Sequence, residues 1–314
     1  MTQQVEIRSI QSHEIDAFIS HCVSVFGDRN PRSYFESHLY DDPKALAEMS
    51  NIIVGIDHGI AAALRIVPRL LYCNQHIVSV AGIAEVSTRE DWRRKGLASQ
   101  LLSYASKSLV SYTFSLLHCN YSRLGDFYER RNWRSIAFEH VIMQSEYDVS
   151  DCQIKTLKLA DKGMAAAALR LYEQYSSRFN GPVVRDLEYM QNWVVARHRR
   201  LNVSSLAIFT NEGSLNAYVF GRVVNSMIDI EELIVGNGVS LSNICSLLNN
   251  IDPKANRFRM PKIVAANLGL LTDSMEAERD LGWMYMEASS MKDGLENVSQ
   301  MIGEQFLFWA TDAF

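Results

Sequence analysis

No run in this 314-residue sequence approaches the roughly 18 consecutive apolar residues of a membrane-spanning helix, so no membrane partner is expected. The N-terminus MTQQVEIRSI lacks the charged, apolar and small-residue layout of a secretory signal, which places the expected location in the cytoplasm. Five cysteines (Cys22, Cys73, Cys119, Cys152, Cys245) are scattered without a Cys-x-x-Cys pair, which fits reduced thiols better than a disulfide frame or zinc site. The eight histidines form no His-x-x-x-His or His-Glu-x-x-His pattern, so no metal is expected. A basic excess is missing as well: the net charge of -5 gives a nucleic-acid partner no global electrostatic support. With these classes set aside, 47% apolar and 10% aromatic residues suffice for real cores, and the length suggests two domains.

What is present is a distinctive stretch from Ile77 to Val110. Residues Val78 to Thr88 are rich in Val and Ile and have the length of a strand, whereas Leu97, Leu101, Ala105 and Leu109 fall four apart on one helix face. Between them, Arg93-Arg94-Lys95-Gly96-Leu97-Ala98 gathers three cations where a helix begins. Free amide N–H groups and the positive end of the helix dipole collect there, making the loop a candidate cradle for a diphosphate. Upstream, Ser12 is expected to cap a helix from His13 to Phe26 that Gly27 stops, followed by a turn at Asp28 to Pro31 and a helical segment carrying Tyr34, Phe35 and Leu39. Residues 51–56 and 60–67 make a hairpin around Asp57-His58-Gly59. Strands at 69–73, 114–120 and 134–147 complete a layered α/β unit, expected to close near residue 150.

The remainder repeats this plan more faintly. Asp161 can cap a helix to about Tyr175, residues 205–209 and 215–224 echo the hairpin, and 228–235 echo the central strand. Gly59 and Gly213 lie 154 positions apart, and Asn132-Trp133 and Gly282-Trp283 lie 150 apart. After Val235, however, GNGVSLSNICSLL carries no basic residue, and the position matching Tyr128 falls at Glu278 in an expected helix-like run.

The spacing Arg-x-x-Gly-x-Ala resembles the cofactor loop of the GNAT superfamily of acetyl-CoA-dependent N-acyltransferases. A second signature follows the strand-like FSLLHCN: Phe127-Tyr128-Glu129-Arg130-Arg131-Asn132-Trp133 is similar to that family's F-Y-x-x-x-G-[FW] box, with Asn132 in place of Gly. Asn is among the residues that tolerate a left-handed backbone. The tandem layout, the segment from Ser177 to Val194 and the ending FLFWATDAF resemble the two-domain core of the enhanced intracellular survival family of aminoglycoside and protein-amine acetyltransferases, although 314 residues leave no room for that family's lipid-carrier-like third domain. The resemblance implies an α/β fold of the GNAT type, with a mixed α+β sheet in each of two tandem domains. A catalytic domain with the acetyl-CoA site would span 1–150, and a degenerate GNAT-like domain 151–314, its C-terminus returning toward the active site. By the same resemblance, the backbone at Val86, Ser87 and Thr88 binds pantetheine and polarises the acetyl carbonyl, while Arg93, Arg94, Lys95, Gly96, Leu97, Ala98 and Ser99 hold the diphosphate.

Acyl transfer from a thioester needs an activated amine, a hole for the oxyanion and a proton for the departing thiolate. Tyr128 is the candidate general acid, since a phenol near pKa 10 keeps its proton at neutral pH. For the base there are three candidates besides a relayed water: the C-terminal carboxylate of Phe314, at the end of an apolar tail that favours burial, and the side chains of Glu85 and His118. Alternation along the strand turns Glu85 away from the side of Ala84 and Val86, and a lone His between Leu117 and Cys119 reads as a core residue. Phe26, Tyr34 and Phe35 are candidates for the acceptor wall. The expected activity is direct transfer of acetyl from acetyl-CoA to a primary amine of a small molecule or lysine side chain. A non-catalytic CoA-binding sensor or scaffold and a transferase of longer acyl groups are the alternatives, and a homo-oligomer is left open.

Overall fold

The computed structural model of the chain describes residues 5–27, 30–46, 49–144, 152–272, 275–287, 298–303 and 305–314. In the first half the elements are β1 (Glu6–Ser9), α1 (Ile15–Phe26), α2 (Arg32–Tyr40), β2 (Ile52–Ile56), β3 (Ile60–Cys73), β4 (His76–Thr88), α3 (Leu97–Leu109), β5 (Phe114–His118), α4 (Tyr121–Glu129), β6 (Arg134–Ser135) and β7 (Phe138–Gln144). The second half runs β8 (Ile154–Thr156), α5 (Lys162–Ser176), α6 (Leu187–Tyr189), a π-helical turn (Met190–Val194), α7 (Val195–Leu201), β9 (Ser204–Phe209), β10 (Leu215–Val224), β11 (Met227–Val235), α8 (Leu241–Asn249), β12 (Arg257–Pro261), α9 (Lys262–Asn267), β13 (Glu276–Asp280), β14 (Trp283–Glu287) and α10 (Val298–Ile302).

Most local expectations match these elements. The cap of the first helix differs: Ser12 lies in a 3-10 turn closed by Gln11 and Glu14 as a capping box, because Glu14 can reach back to the Gln11 N–H at 2.9 Å. Asp161 caps α5 through the Met164 N–H at 2.8 Å, as its spacing suggested. The runs expected at 60–67 and 69–73 form one 14-residue strand, in which Pro68 pairs with Ala81 without interrupting the ladder. Of the turn expected at Asp28 to Pro31, Asp28 and Arg29 lie outside the described residues.

Two seven-stranded mixed sheets result, with orders β1-β2-β3-β4-β5-β14-β6 and β13-β7-β12-β11-β10-β9-β8. The halves exchange strands. The strand expected at 134–147 breaks after Ser135, and its longer part, β7, crosses to the second sheet between β13 and β12. In return β14 enters the first sheet, pairing Trp283 with His118 on β5 and Met284 with Ser135 on β6. The joint at Gly282 needs glycine: a Cβ there would lie 2.3 Å from the Cys119 carbonyl. Glu278, expected in a helix-like run, sits on β13 opposite His140, its carboxylate held 2.7 Å from Arg259 Nε. The boundary expected near residue 150 falls outside the described residues, which stop at 144 and resume at 152.

The first sheet buries both faces. On one face of the first sheet, Leu97, Leu101, Ala105 and Leu109 of α3 pack with Leu64, Ile66, Ala81, Ile83, Tyr128 and Trp133. On the other, Phe18, Ile19 and Cys22 of α1 and Phe35 and Leu39 of α2 cover Ile52, Val54 and Ala63. The four-residue apolar spacing of α3 therefore aligns the helix over the strands from which its N-terminal loop emerges. The largest cluster spans both halves, joining Leu71, Val78 and Val80 to Trp193, Tyr218 and Trp309. Among the described residues no helix is long and apolar enough to cross a membrane.

Candidate active site at the splayed strands

β4 and β5 run parallel and pair only at Val80↔Phe114, Ala81↔Ser115 and Gly82↔Leu116. Beyond Gly82, β4 stays bonded to β3 as far as Thr88↔Ala62, so its other edge opens toward a notch from Ile83 onward. At the top of the notch β4 carries a bulge. Ala63 pairs with Ser87 but Arg65 pairs with Ala84, leaving Glu85 and Val86 opposite Leu64, and Glu85 adopts φ 46°. The bulge replaces the simple alternation expected of this strand and delivers the Glu85 carboxylate to Arg65, with Oε2 2.6 Å from Nε and Oε1 3.0 Å from Nη2. Both side chains are buried, so this candidate base is engaged in a bidentate ion pair.

The chain leaves β4 through a 3-10 turn and reaches α3 by the basic loop. Arg94 (φ 61°) and Gly96 (φ 79°) both take the left-handed backbone, and Gly96 is the N-cap. No side chain caps this helix. Its first backbone bond runs from the Gln100 N–H to the Gly96 carbonyl at 3.1 Å, so the amides of Leu97, Ala98 and Ser99 precede the intrahelical ladder. Arg93, Arg94 and Lys95 are exposed, and Lys95 lies 4.5 Å over the Trp92 ring. Arg131 of the second signature donates to Ser99 Oγ, tying the two signatures together. Ser87 turns its hydroxyl away from the notch, 3.0 Å from Nε2 of His21 on α1. Val86 packs with the α3 face, and the Thr88 carbonyl accepts from Arg93 Nε at 3.3 Å.

Tyr128 sits on α4 in the same cluster, 5% exposed, edge-on to Phe127 and Trp133. Burial, with a smaller contribution from Cys119, raises its phenol above the ordinary range, so it stays protonated at neutral pH. The hydroxyl has no hydrogen-bond partner among the described residues.

The C-terminal segment arrives from the other side. Phe306, Leu307, Phe308 and Trp309 are buried, and Leu307 N–H bonds the Asn180 carbonyl at 2.7 Å. Trp193 Nε1 donates to the Thr311 carbonyl at 2.9 Å, and Arg185 grips both oxygens of Asp312 at 2.9 Å while also pairing with Glu232. The Phe314 ring ends on Gly82, where a Cβ would lie 2.6 Å from Cε2 and Cζ. The last residue of the chain is thus seated at the point where β4 and β5 part. Gly82, Arg185 and Asp312 escaped the sequence reading. The partners of Arg185 lie 47 and 127 positions away, and no local pattern announces them.

A strand with a bulge and an open edge, feeding an uncapped helix through a left-handed glycine, can hold a diphosphate at the helix start and present N–H groups to a carbonyl in the notch. Residues 6–136 match the family profile described as acetyltransferase (GNAT) domain. Over that segment, less than half of the chain, the protein is similar to a GNAT acetyltransferase domain. That match ends at Ile136, where the chain leaves the first sheet for the second. No curated protein sequence matches the chain. Among solved structures, a probable N-acyltransferase of Enterococcus faecalis superposes with TM-score 0.70 at 14% identity, covering 91% of this chain and 72% of that one. Eis1 of Mycobacterium abscessus gives 0.63 at 12% identity (90% and 74%), and Saccharomyces cerevisiae N-myristoyltransferase with bound myristoyl-CoA gives 0.55 at 10% (91% and 83%). At such identities these likenesses establish the fold, and they extend over both halves: two tandem GNAT-like units.

Within residues 6–136 His118 is not the core residue expected. It is half exposed at the end of β5, its Nε2 2.9 Å from Asp280 and its ring 5.1 Å from that of Trp283. Of the expected acceptor-wall residues, Phe35 is buried between α1 and α2, whereas Tyr34 and Phe26 are only partly buried. The phenol of Tyr34 is pushed up by burial and then by the charge of Glu85. Among the described residues no group of three or more His, Cys, Asp or Glu could hold a metal ion.

Proposed function

We propose that the protein transfers an acetyl group from acetyl-CoA to a primary amine by direct attack. The observation that carries this reading is the seating of Phe314 on Gly82, which brings the chain end to the notch where a thioester polarised by the free edge of β4 would lie. The amides of residues 94–99 and the cations of Arg93, Arg94 and Lys95 take the diphosphate. Val86, Ser87 and Thr88 contribute backbone to pantetheine and to the carbonyl oxygen. The amine nitrogen attacks the carbonyl carbon, its proton passes to the Phe314 carboxylate, and the C–S bond breaks as Tyr128 protonates the departing sulfur. Tyr128 then recovers a proton from solvent, and the Phe314 carboxyl releases to solvent the proton it took from the amine. Catalysis is assigned to residues 1–150, and 151–314 acts as the degenerate partner that carries the terminal carboxylate. The intact loop and the protonated, unpartnered Tyr128 favour an enzyme over a CoA-binding scaffold.

The test is thiol release from acetyl-CoA with an amine panel, run on the protein as it stands and on a form with one residue added after Phe314. Extension is expected to lower kcat by about 10² while CoA affinity holds. Full activity of the extended chain would remove the carboxylate from the mechanism. Release only from palmitoyl-CoA would move the activity to longer acyl groups.

A further inference from the structure

Among the described residues the buried arginines Arg65, Arg69, Arg185 and Arg197 come with carboxylates, whereas the partly buried Arg200 does not. Arg65 pairs with Glu85, Arg69 with Asp42, Arg185 with Glu232 and Asp312, and Arg197 with Glu231. Arg200, at the end of α7, has no carboxylate partner among the described residues. Its Nη1 donates to the Tyr34 carbonyl at 3.0 Å, and its guanidinium lies 4.9 Å from the Tyr34 ring and 5.9 Å from that of Trp193. Nε and Nη2 are shielded from water and have no hydrogen-bond partner. Those two nitrogens form the side-on fork of a guanidinium, the same edge that Arg65 offers to Glu85 and Arg197 to Glu231. Next to it His38, buried against Trp193 at 4.8 Å, bonds the Tyr34 carbonyl through Nδ1 at 2.8 Å and leaves Nε2 without a partner. Tyr34 also packs against the cluster that covers Ala63, the residue paired with Ser87 beside the Glu85 bulge.

An ionised guanidinium with two of its donors shielded from water and unsatisfied is costly, and an anion that fits the fork removes the cost. We infer that Arg200 is the recognition site for a carboxylate on the acceptor, so that the favoured substrate is a small amino acid rather than a polycationic amine. A polycation would add like charge beside Arg200, which no carboxylate balances among the described residues. This inference rests on the proposed acetyl transfer and names its acceptor class.

The experiment compares amines that differ only by a carboxylate: phenylalanine with phenethylamine, lysine with cadaverine, histidine with histamine. Thiol release from acetyl-CoA is followed for the unmodified protein, Arg200→Gln and Arg200→Lys. The carboxylate-bearing member is expected to have the higher kcat/KM by at least about tenfold, mostly through KM. Arg200→Gln is expected to bring that ratio to about one, and Arg200→Lys, which keeps charge but loses the fork, to lower it. Transfer without a carboxylate preference, or a preference that Arg200→Gln leaves intact, overturns the inference and leaves the acetyltransferase reading standing. No release with any pair from protein that still binds CoA overturns both.

Discussion

Gly82→Ala is the perturbation that the geometry constrains most tightly. The new methyl would sit 2.6 Å from Cε2 and Cζ and 3.0 Å from Cδ2 of Phe314. Carbon atoms in contact need about 3.6 Å, so one side must withdraw by about 1 Å. The strand cannot yield easily, because Gly82 is laddered to Val67 on one side and Leu116 on the other. Asp312 is fixed by Arg185, which leaves Ala313 and Phe314 to move, and the terminal carboxylate moves with them. A displacement of about 1 Å in a reacting group costs on the order of 10² in rate, or about 2.7 kcal/mol of barrier. Stability should change little: a strand interior gains up to about 1 kcal/mol on Gly→Ala, which offsets part of the lost ring packing. The assay is kcat from thiol release at saturating acetyl-CoA and amine, with CoA affinity measured by calorimetry. The expected outcome is kcat down about 10² with CoA affinity unchanged. Phe314→Ala keeps the carboxylate and removes the clash, so the double variant should regain most of the loss. Unaltered kcat in Gly82→Ala would refute the claim that the chain end takes part in the chemistry.

Gly96→Glu should abolish CoA binding without unfolding the protein, since nothing lies within 4 Å of the added Cβ and a left-handed non-glycine costs only about 1–2 kcal/mol; unchanged CoA affinity by calorimetry would contradict the loop assignment. Tyr128→Phe should lower kcat by about 10² with Tm and CoA affinity nearly constant, because the lost hydroxyl has no partner to abandon; kcat within twofold of the parent would exclude Tyr128 as the acid. His21 is held neutral by burial, with its pKa lowered to about 4, whereas in the unfolded chain it titrates near 6.5. Between those values the unfolded state binds the proton and the native state does not, so stability is full above about pH 6.5 and falls as pH drops toward 4. Tm against pH should show this decline, and His21→Gln should make it shallower.

The strand, loop and helix around Arg93-Arg94-Lys95-Gly96 were legible because their signals are local: apolar spacing of four along α3 and a glycine at the one N-cap with φ 79°. The bulge was not, since Glu85 is a non-glycine in the left-handed region and nothing in Ala84-Glu85-Val86 marks the break in alternation. Strand exchange was illegible for a related reason. The joints Ile136-Ala137 and Leu281-Gly282 are too short to register as crossovers, yet each sends the chain from one sheet to the other. The buried partners of Arg185 are residues far apart in sequence that only the fold brings together.

The two halves repeat one plan but differ in how their equivalent helices begin. After β11 the chain enters α8 at Ser240, whose hydroxyl accepts the Asn243 N–H at 3.2 Å, so one of the amides that an anion would need is already occupied. After β4 the chain enters α3 at Gly96, which has no side chain to offer, and the corresponding amides stay open. A cap stabilises a helix end by about 1 kcal/mol. The first half forgoes it at the one place where a diphosphate would do the capping. The second half keeps the cap and lends the first sheet β14 along β5 and the segment ending at Phe314. Tyr128 on α4 and the Phe314 ring on Gly82 therefore come from different halves, and the proposed pairing of acid and base depends on the exchanged strands holding both sheets together.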